Sequence, residues 1–555
     1  MRNLYFILLP IVCMASTTIH AQILMVQHAG TRQPMEGVTI MSASGNAVTD
    51  ANGRADISKM QSDAGEIEIR FVGFETLRTR YALLEKQGFE VALSEDRISL
   101  DAVVVSATRW QQSRRETPLR ISTISSKEVM LQNPQTAADL LSLSGEVFIQ
   151  KSQLGGGSPM IRGFATNRVL LTLDGVRMNN AIFRSGNLQN VISLDPFSIE
   201  RTEVVFGPGS VIYGSDAIGG VMHFSTLEPA LSSVGANAAV RYASANQEKT
   251  GHADFSVGGK KWAFAGSATF TDYDDLMMGN NGPDDYLRPR YVIRVNGRDS
   301  VVTNSNPTLQ IPTGYNQLNW MHKVRFIPNE KWDLQYGFHY SATSNYARYD
   351  RLLRPRGNNL RSAEWDYGPQ IWILNNLSAA HTSGSKWFDH VVIRAAHQFF
   401  EESRIERNLN SLTRMIRTEK VHALSANVDF EKQRKNGQRF FYGLEGILNL
   451  VGSTGEDKNI ETGNAMAAPA RYPDGALWYS AAAYLSWKAP LNDQLTLQTG
   501  ARYNLVGLQA EFDTTLLAVP FAEARQSSGA LTGSLGFTWS PAPLPSQEKC
   551  RPPMR

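Results

Sequence analysis

The run Lys331–Ser341, KWDLQYGFHYS, places Trp332, Leu334, Tyr336, Phe338 and Tyr340 on even positions. Asp333, Gln335, Gly337, His339 and Ser341 fall on the odd ones. Successive side chains of a strand point to opposite faces, so this run makes a strand with one aromatic face and one polar face. The pattern recurs. LTLQTGARYNL sets Leu495, Leu497, Ala501, Tyr503 and Leu505 against Thr496, Gln498, Arg502 and Asn504. ALTGSLGFTWS sets Leu531, Leu535, Phe537 and Trp539 against Thr532, Ser534 and Thr538, and KKWAFAGSATF and HALSANVDF behave alike. Residues 229 to 541 therefore read as strand after antiparallel strand. The apolar face of such a sheet has two destinations. A soluble sandwich or propeller turns it inward. A transmembrane barrel turns it outward to lipid, with short turns at one end and long loops at the other. APLND (489–493) is a short connection and residues 345–370 are a long polar one.

The start of the chain bears on that choice. Arg2 gives a positive end, YFILLPIVCMA (5–15) is a short apolar core, and a cleavage after Ala21 is expected. This is the pattern of a secretory signal peptide, residues 1–21. Val12 before Cys13 speaks against a lipoprotein, and Cys13 would leave with the signal. Only Cys550 then remains, so no disulfide framework is expected. No later run is long and apolar enough for a membrane helix. The formal charge of +3 over 555 residues gives no case for nucleic acid. Export, strand number and the absence of blade-length repeats favour the membrane barrel.

Residues 22–97 carry short β runs between turn signals (Gly45-Asn46, Asp50-Ala51-Asn52-Gly53), the pattern of a small β-sandwich. Residues 98–117 read as a linker with a β-prone centre at Val103-Val104-Val105. Residues 118–228 are mixed α and β. Ser125 and Glu128 fit a capping box, and Asn133-Pro134 fits the start of a helix over QTAADLLSL. VFIQ, PMIRGF, RVLLTLDGVRM with a tight turn at Asp174-Gly175, IERTEVVFG and SVIYG read as strands. Gly207-Pro208-Gly209 does not open a dinucleotide fingerprint, because Ile212 stands where the third glycine is needed and a strand-like Val-Ile-Tyr follows. No Walker A sequence, Ser-His-Asp order, histidine metal cluster or paired carboxylate compels an enzyme reading.

Three segments carry a resemblance. IERTEVVFGPGSVIYGSDAIGGVMHFST (199–226) and PMIRGFATNRVLLTLDGVRMNN (159–180) closely resemble the plug domain of TonB-dependent outer-membrane receptors. DAVVVSATR (101–109) resembles a TonB box of the Bacteroidetes type, and the three occur in the family's order. Thr202 and His223 depart from the usual residues of the closing segment. Pro34, Gly37-Val38, Thr49-Asp50, Gly53 and FVGFE (71–75) resemble a carboxypeptidase-regulatory-like domain, with Ala55 where an aromatic is usual and no zinc ligands.

The resemblance implies a mainly β chain. Its parts are an N-terminal β-sandwich (22–97), a TonB-box linker (98–117), an α/β plug domain (118–228), an incomplete transmembrane antiparallel β-barrel (229–541) and an aberrant Pro-rich tail (542–555). The family's barrels have about 22 strands, whereas residues 229–541 hold about 12 to 15. A C-terminally truncated or frameshifted receptor is therefore expected. The TonB box would be Asp101, Ala102, Val103, Val104, Val105, Ser106 and Ala107. The plug motifs would be Arg162, Gly163, Phe164, Asp174, Gly175, Glu200, Arg201, Glu203, Gly207, Tyr213, Gly214, Gly219 and Gly220. Of these, Arg162, Glu200, Arg201 and Glu203 are expected to pair with the polar inner wall.

TonB with ExbB–ExbD, outer-membrane lipid and a surface lipoprotein are the implied partners. The implied function is uptake, with no resident cofactor. PTGYNQLNWMHKVRF, YGFHYSATSNYARYDRLLRP and AHQFFEESRIERN look like the haemoglobin/transferrin/lactoferrin-receptor branch, so haem or a ferric siderophore leads as ligand. Gly155, Gly156, Asn180, Phe183, Arg184, His339, Tyr346 and His397 are the ligand-side candidates. Cobalamin or oligosaccharide uptake, and a surface adhesion protein without transport, are the alternatives.

Overall fold

The computed structural model describes residues 22–539, except 31, 43, 62–64, 72–73, 75, 94–102, 105–108, 115–116, 152–153, 179–180, 183–190, 208 and 493. The signal peptide, the Pro-rich tail, Asp101, Ala102, Val105, Ser106, Ala107, Asn180, Phe183 and Arg184 lie outside the described residues. The chain divides into a unit ending at Ala102 and one beginning at Val103.

In the first unit, Ile23–His28 runs antiparallel to Arg54–Asp56 and parallel to Glu90–Leu93. A second sheet orders Gly45–Val48, Thr39–Ser42, Ile67–Arg70 and Leu77–Thr79. Both contribute to one core that includes Leu24, Val26, Val38, Ile40, Ile67 and Ile69. The unit also contains a short helix, Tyr81–Lys86, where only strands were expected. Tyr81 and Leu84, three apart, fall on one helical face and are both buried.

The second unit starts with the mixed α/β domain. Its sheet orders Arg120–Ser125, Ile199–Phe206, Gly220–Thr226, Val169–Leu173 and Val176–Arg177. Ser125 and Glu128 do form a capping box, on helix Ser126–Gln132. The next helix differs from its expected start. Asn133 adopts the left-handed conformation that ends the first helix (φ 49°), and Thr136 caps Ala137–Ser142 by accepting from the Asp139 N–H. Asn tolerates that conformation, so its side chain served a stop rather than a start. Val211–Tyr213, read as a strand, form one helical turn, Ser210–Tyr213. Gly214 ends it at φ +85°, a conformation that favours glycine. All three side chains are buried, which is why an apolar triplet resembled a strand.

Then come twelve strands, each antiparallel to the next along the chain: β1 (Val234–Ala243), β2 (Glu248–Gly258), β3 (Trp262–Tyr273), β4 (Tyr315–Asn329), β5 (Trp332–Thr343), β6 (Ser362–Thr382), β7 (His390–Asn408), β8 (Thr413–Gln433), β9 (Arg439–Asn459), β10 (Ala476–Pro490), β11 (Leu495–Glu511) and β12 (Glu523–Trp539). Among the described residues, β1 and β12 are the two ends of this path.

The sheet is inside out. Leu444 is 60% exposed and its neighbour Glu445 is 7% exposed; Leu377 is 57% and Asn376 8%; Tyr503 is 53% and Arg502 1%. A soluble sandwich buries the opposite face, so that alternative fails on the parity of every such pair. Aromatic pairs gather near one end of the strands: Trp262 with Phe326, Phe430 with Tyr442, Phe440 with Trp487. That end has the short connections 259–261, 330–331, 383–389, 434–438 and 491–494. The other end carries the long ones, 274–314, 344–361, 460–475 and 512–522. Girdled aromatics and unequal loops fit a membrane wall. Among the described residues no helix is long and apolar enough to cross a membrane.

Candidate functional site

The α/β domain lies against the polar face of the wall, and three groups of contacts join them. The first is at the short-turn end. Val103–Val104 pairs antiparallel with Gln112–Ser113, and Val104 is fully buried. Between these strands Arg109 turns its guanidinium into the wall. It donates to Asp429 (3.1 Å), to Glu445 and to the Ile212 carbonyl (3.2 Å), and lies 5.0 Å from the Tyr213 ring centre. Glu445 also accepts from Arg177 (3.2 Å) and Arg502 (2.7 Å), and Arg177 reaches Asp216 at 2.6 Å. The Tyr484 hydroxyl donates to Asp429 at 2.6 Å. Burial alone would make Arg109 easier to deprotonate, but Asp429 and Glu445 outweigh it and hold the charge firmly. Burial pushes the Tyr213 hydroxyl up, keeping it neutral.

The second group is in the middle. Asp174, in the tight turn after Val169–Leu173, meets Lys323 at 3.1 Å and His339 at 3.3 Å on the wall. It also accepts from the Thr226 N–H (2.9 Å) and hydroxyl (2.8 Å). Burial would raise the Asp174 carboxyl; Lys323, His339 and Thr226 overcome that and hold it well below the usual carboxylate range. Lys323 has a second carboxylate, Glu228, at 3.1 Å.

The third group is at the long-loop end. Tyr346 is buried, donates to Gln370 (3.0 Å) and packs near Tyr315 and Tyr367 in a cluster with Leu154, Ile192 and Trp365. Gly155 passes directly beneath it: a Cβ there would come within 2.6 Å of the ring. Arg348, Arg351 and Arg404 all stack near Trp365, at 5.4, 5.9 and 5.2 Å. Above the wall, the hairpin Arg290–Val295/Arg298–Thr303 acts as a strap. Its Asp299 accepts from Arg407 (2.7 Å) and the Asn410 N–H (2.8 Å), its Arg294 meets Glu461 (3.0 Å), and Arg290 donates to the Asn358 carbonyl. It thereby ties the connection after β3 to those after β5, β7 and β9.

The expected site residues divide accordingly. Gly155 and Tyr346 meet at the long-loop end, and Gly156 is buried beside them in the chain. His339 is engaged with Asp174 instead of facing a ligand. His397 lies on the outward face, 3.1 Å from His422, on the side of the wall away from the lumen. Arg201 pairs with Glu203 at 3.2 Å within their own strand, Glu200 is exposed, and Arg162 lies over the Phe206 ring at 5.7 Å. The wall contacts made by Arg109, Arg177, Asp429, Glu445, Arg502 and Lys323 were not expected. Charged residues on the polar parity of a wall strand were the available signal for Asp429, Glu445 and Arg502. Among the described residues no group of three His, Cys, Asp or Glu could hold a metal.

Residues 113–221 match the TonB-dependent Receptor Plug Domain family. The α/β domain is similar to a TonB-dependent receptor plug. The chain is 38% identical over 130 residues to the vitamin B12 transporter BtuB of Vibrio vulnificus (strain YJ016), covering 23% of this chain and 21% of that protein. It is 33% identical over 168 residues to the hemin receptor of Yersinia pestis, covering 30% of this chain and 24% of that protein. Among solved structures, the copper transporter OprC superposes with a TM-score of 0.60 at 14% identity, over 75% of this chain and 60% of that one. The ferric yersiniabactin uptake receptor FyuA from Yersinia pestis gives 0.55 at 15% identity, over 78% and 64%. These structures share the fold, a plug against a receptor-barrel wall. The chain spans less than a quarter of the first two curated relatives and less than two thirds of either solved structure.

Proposed function

We propose that this chain is the plug and plug-bearing wall of an outer-membrane receptor that imports a scarce ligand with energy delivered through TonB. The observation that carries this reading is the Val103–Val104 strand, held at the short-turn end by Arg109 buried in the wall network, with Lys488 on Gln112 and Arg439 on the Gln111 carbonyl as lesser ties. Ligand docks at the long-loop end over the plug. Loosening of Arg109 frees the segment around Val103–Val105 on the periplasmic side, where TonB adds to it as a strand. Work from ExbB–ExbD then reaches the plug, which moves against the wall. The exported N-terminal unit, carboxypeptidase-regulatory-like, is a periplasmic docking module.

The cargo is an iron chelate. His339 and His397 are engaged elsewhere, which weakens haem ligation through them. Arginines stacked on Trp365 above buried tyrosines suit an anionic chelate with planar groups. Deleting Val103–Val105 from the full-length gene abolishes TonB binding and uptake of radiolabelled ferric chelates. Unchanged binding and uptake would refute the transporter reading and favour an adhesion protein.

A further inference from the structure

The plug is not held equally on all sides. Against β8–β11 the seam is closed by apolar packing and by the arginine–carboxylate network: Val211 packs at Gly500, and Arg109, Arg177 and Arg502 converge on Glu445. Against β3–β6 there is apolar packing too, Leu154 and Ile192 with Tyr273 and Tyr315, but the hydrogen bonds across the seam are mostly between neutral groups. Gln317 donates to the Ile192 carbonyl (2.6 Å), Thr269 to Asp195 (2.6 Å), and Gln370 to Ser193 (3.0 Å).

This polar seam also contains the voids. A cavity of about 600 Å³ lies toward the short-turn end, bordered by Arg109, Glu200, Gln335, Ser378 and Arg394. That volume is in the range of small-molecule sites. Toward the other end lie two much smaller voids, about 20 and 10 Å³, which share Leu194, Asp195 and Asn319. Asp174 lines the large cavity and His339 the first of the small ones, so the pair stands at the division between them.

We propose that cargo passes the plug along this seam, and that Asp174, Lys323 and His339 form the gate between its narrow outer part and the inner vestibule. This rests on the transport reading above. The partners explain how the gate opens without stranding a buried charge. Asp174 keeps the Thr226 N–H and hydroxyl, which belong to the plug and travel with it. Lys323 gives up the Thr226 carbonyl (3.3 Å) as the plug moves but keeps Glu228 at 3.1 Å, at the junction of plug and wall. A buried pair broken by removing one partner leaves an uncompensated ion; here each side has a second partner in place. The Arg109 network asks for more, because three buried guanidinium–carboxylate contacts cross from plug to wall there: Arg109 with Asp429 and Glu445, and Arg177 with Glu445. The β3–β6 side therefore parts first.

The test uses the full chain in outer-membrane vesicles, with Cys13→Ser and Cys550→Ser, and without ligand or TonB. Asn319→Cys reports on the seam and Val421→Cys on the opposite, apolar side; both positions are buried. In the presence of Asp174→Asn, a membrane-impermeant maleimide labels Asn319→Cys at least tenfold faster and Val421→Cys at an unchanged rate. Lys323→Gln, made from the wall, gives the same pattern and covers failure of the plug variant to fold. An unchanged rate at Asn319→Cys, or an equal rise at both positions, overturns the proposal. Because the readout needs neither cargo nor TonB, its failure leaves the transport reading standing. Loss of that reading in the uptake experiment leaves the labelling pattern intact.

Discussion

Replacing Arg109 with Met keeps most of the side-chain stem and removes the charge. Two hydrogen bonds to carboxylates are lost, at Asp429 and Glu445, each contributing about 1.5–3 kcal/mol. The ring contact with Tyr213 is lost as well, about 0.5–2 kcal/mol. The carboxylates are not orphaned, because Tyr484 still donates to Asp429, and Arg177 and Arg502 to Glu445. The cost therefore falls on the hairpin rather than on the wall. A loss of about 4 kcal/mol raises the opening equilibrium of the hairpin by roughly a thousandfold, at tenfold per 1.4 kcal/mol. Amide hydrogen exchange reads this directly. Protection at Val104 and Gln112 falls by two or more orders of magnitude, on the order of that estimate, while the plug strand Ile199–Phe206 keeps its protection. Protection at Val104 unchanged within about threefold would refute the latch. So would equal loss across the plug strand, since Arg109 would then be supporting the whole domain.

Three more outcomes follow from the same contacts. Glu445→Gln leaves three buried guanidinium groups short of a carboxylate and destabilises the plug–wall unit by about 3–5 kcal/mol in urea unfolding, whereas Glu200→Gln on the exposed face changes it by less than about 0.5 kcal/mol. Leu424→Arg, on the outward face, costs about 2–4 kcal/mol in bilayers; a soluble protein would tolerate it, so a negligible cost would contradict the membrane wall. Burial pushes the His223 imidazole down, so the folded plug prefers it neutral. That stability is complete above the unfolded value of about 6.5 and declines as pH falls from there toward the lower folded value, by at most about 1.4 kcal/mol per pH unit. His223→Asn, which can still bond Thr172, flattens the decline between about pH 6.5 and 5 in urea titrations.

Much of this is legible in the sequence alone. Period-two alternation gave the wall strands and their two faces, and the Ser125/Glu128 box and Asp174-Gly175 turn formed where the residues placed them. What alternation cannot give is the partner across the lumen. Arg109 and Asp429 stand 320 residues apart, and nothing local marks them as a pair. His339 has lumen parity, so the sequence placed its face correctly while leaving open whether ligand or plug would meet it. His397 was a different case: His422, its neighbour, shares the outward face with Leu424 and Phe430, and the register of two strands was needed to carry that parity across. The short helix at Ser210–Tyr213 was hidden because buried on every side it shows no period at all.

The strap at the outer end and the hairpin at the inner end are fastened by separate arginines, Arg407 and Arg109, to separate carboxylates. No side chain is common to both fastenings. Two doors in series that open independently leak at the product of their opening probabilities, as in an airlock. Under the proposed import, such an arrangement would tolerate frequent thermal opening of either door alone, so each could be light enough to move on binding or on pulling while the passage as a whole stayed closed to bystanders.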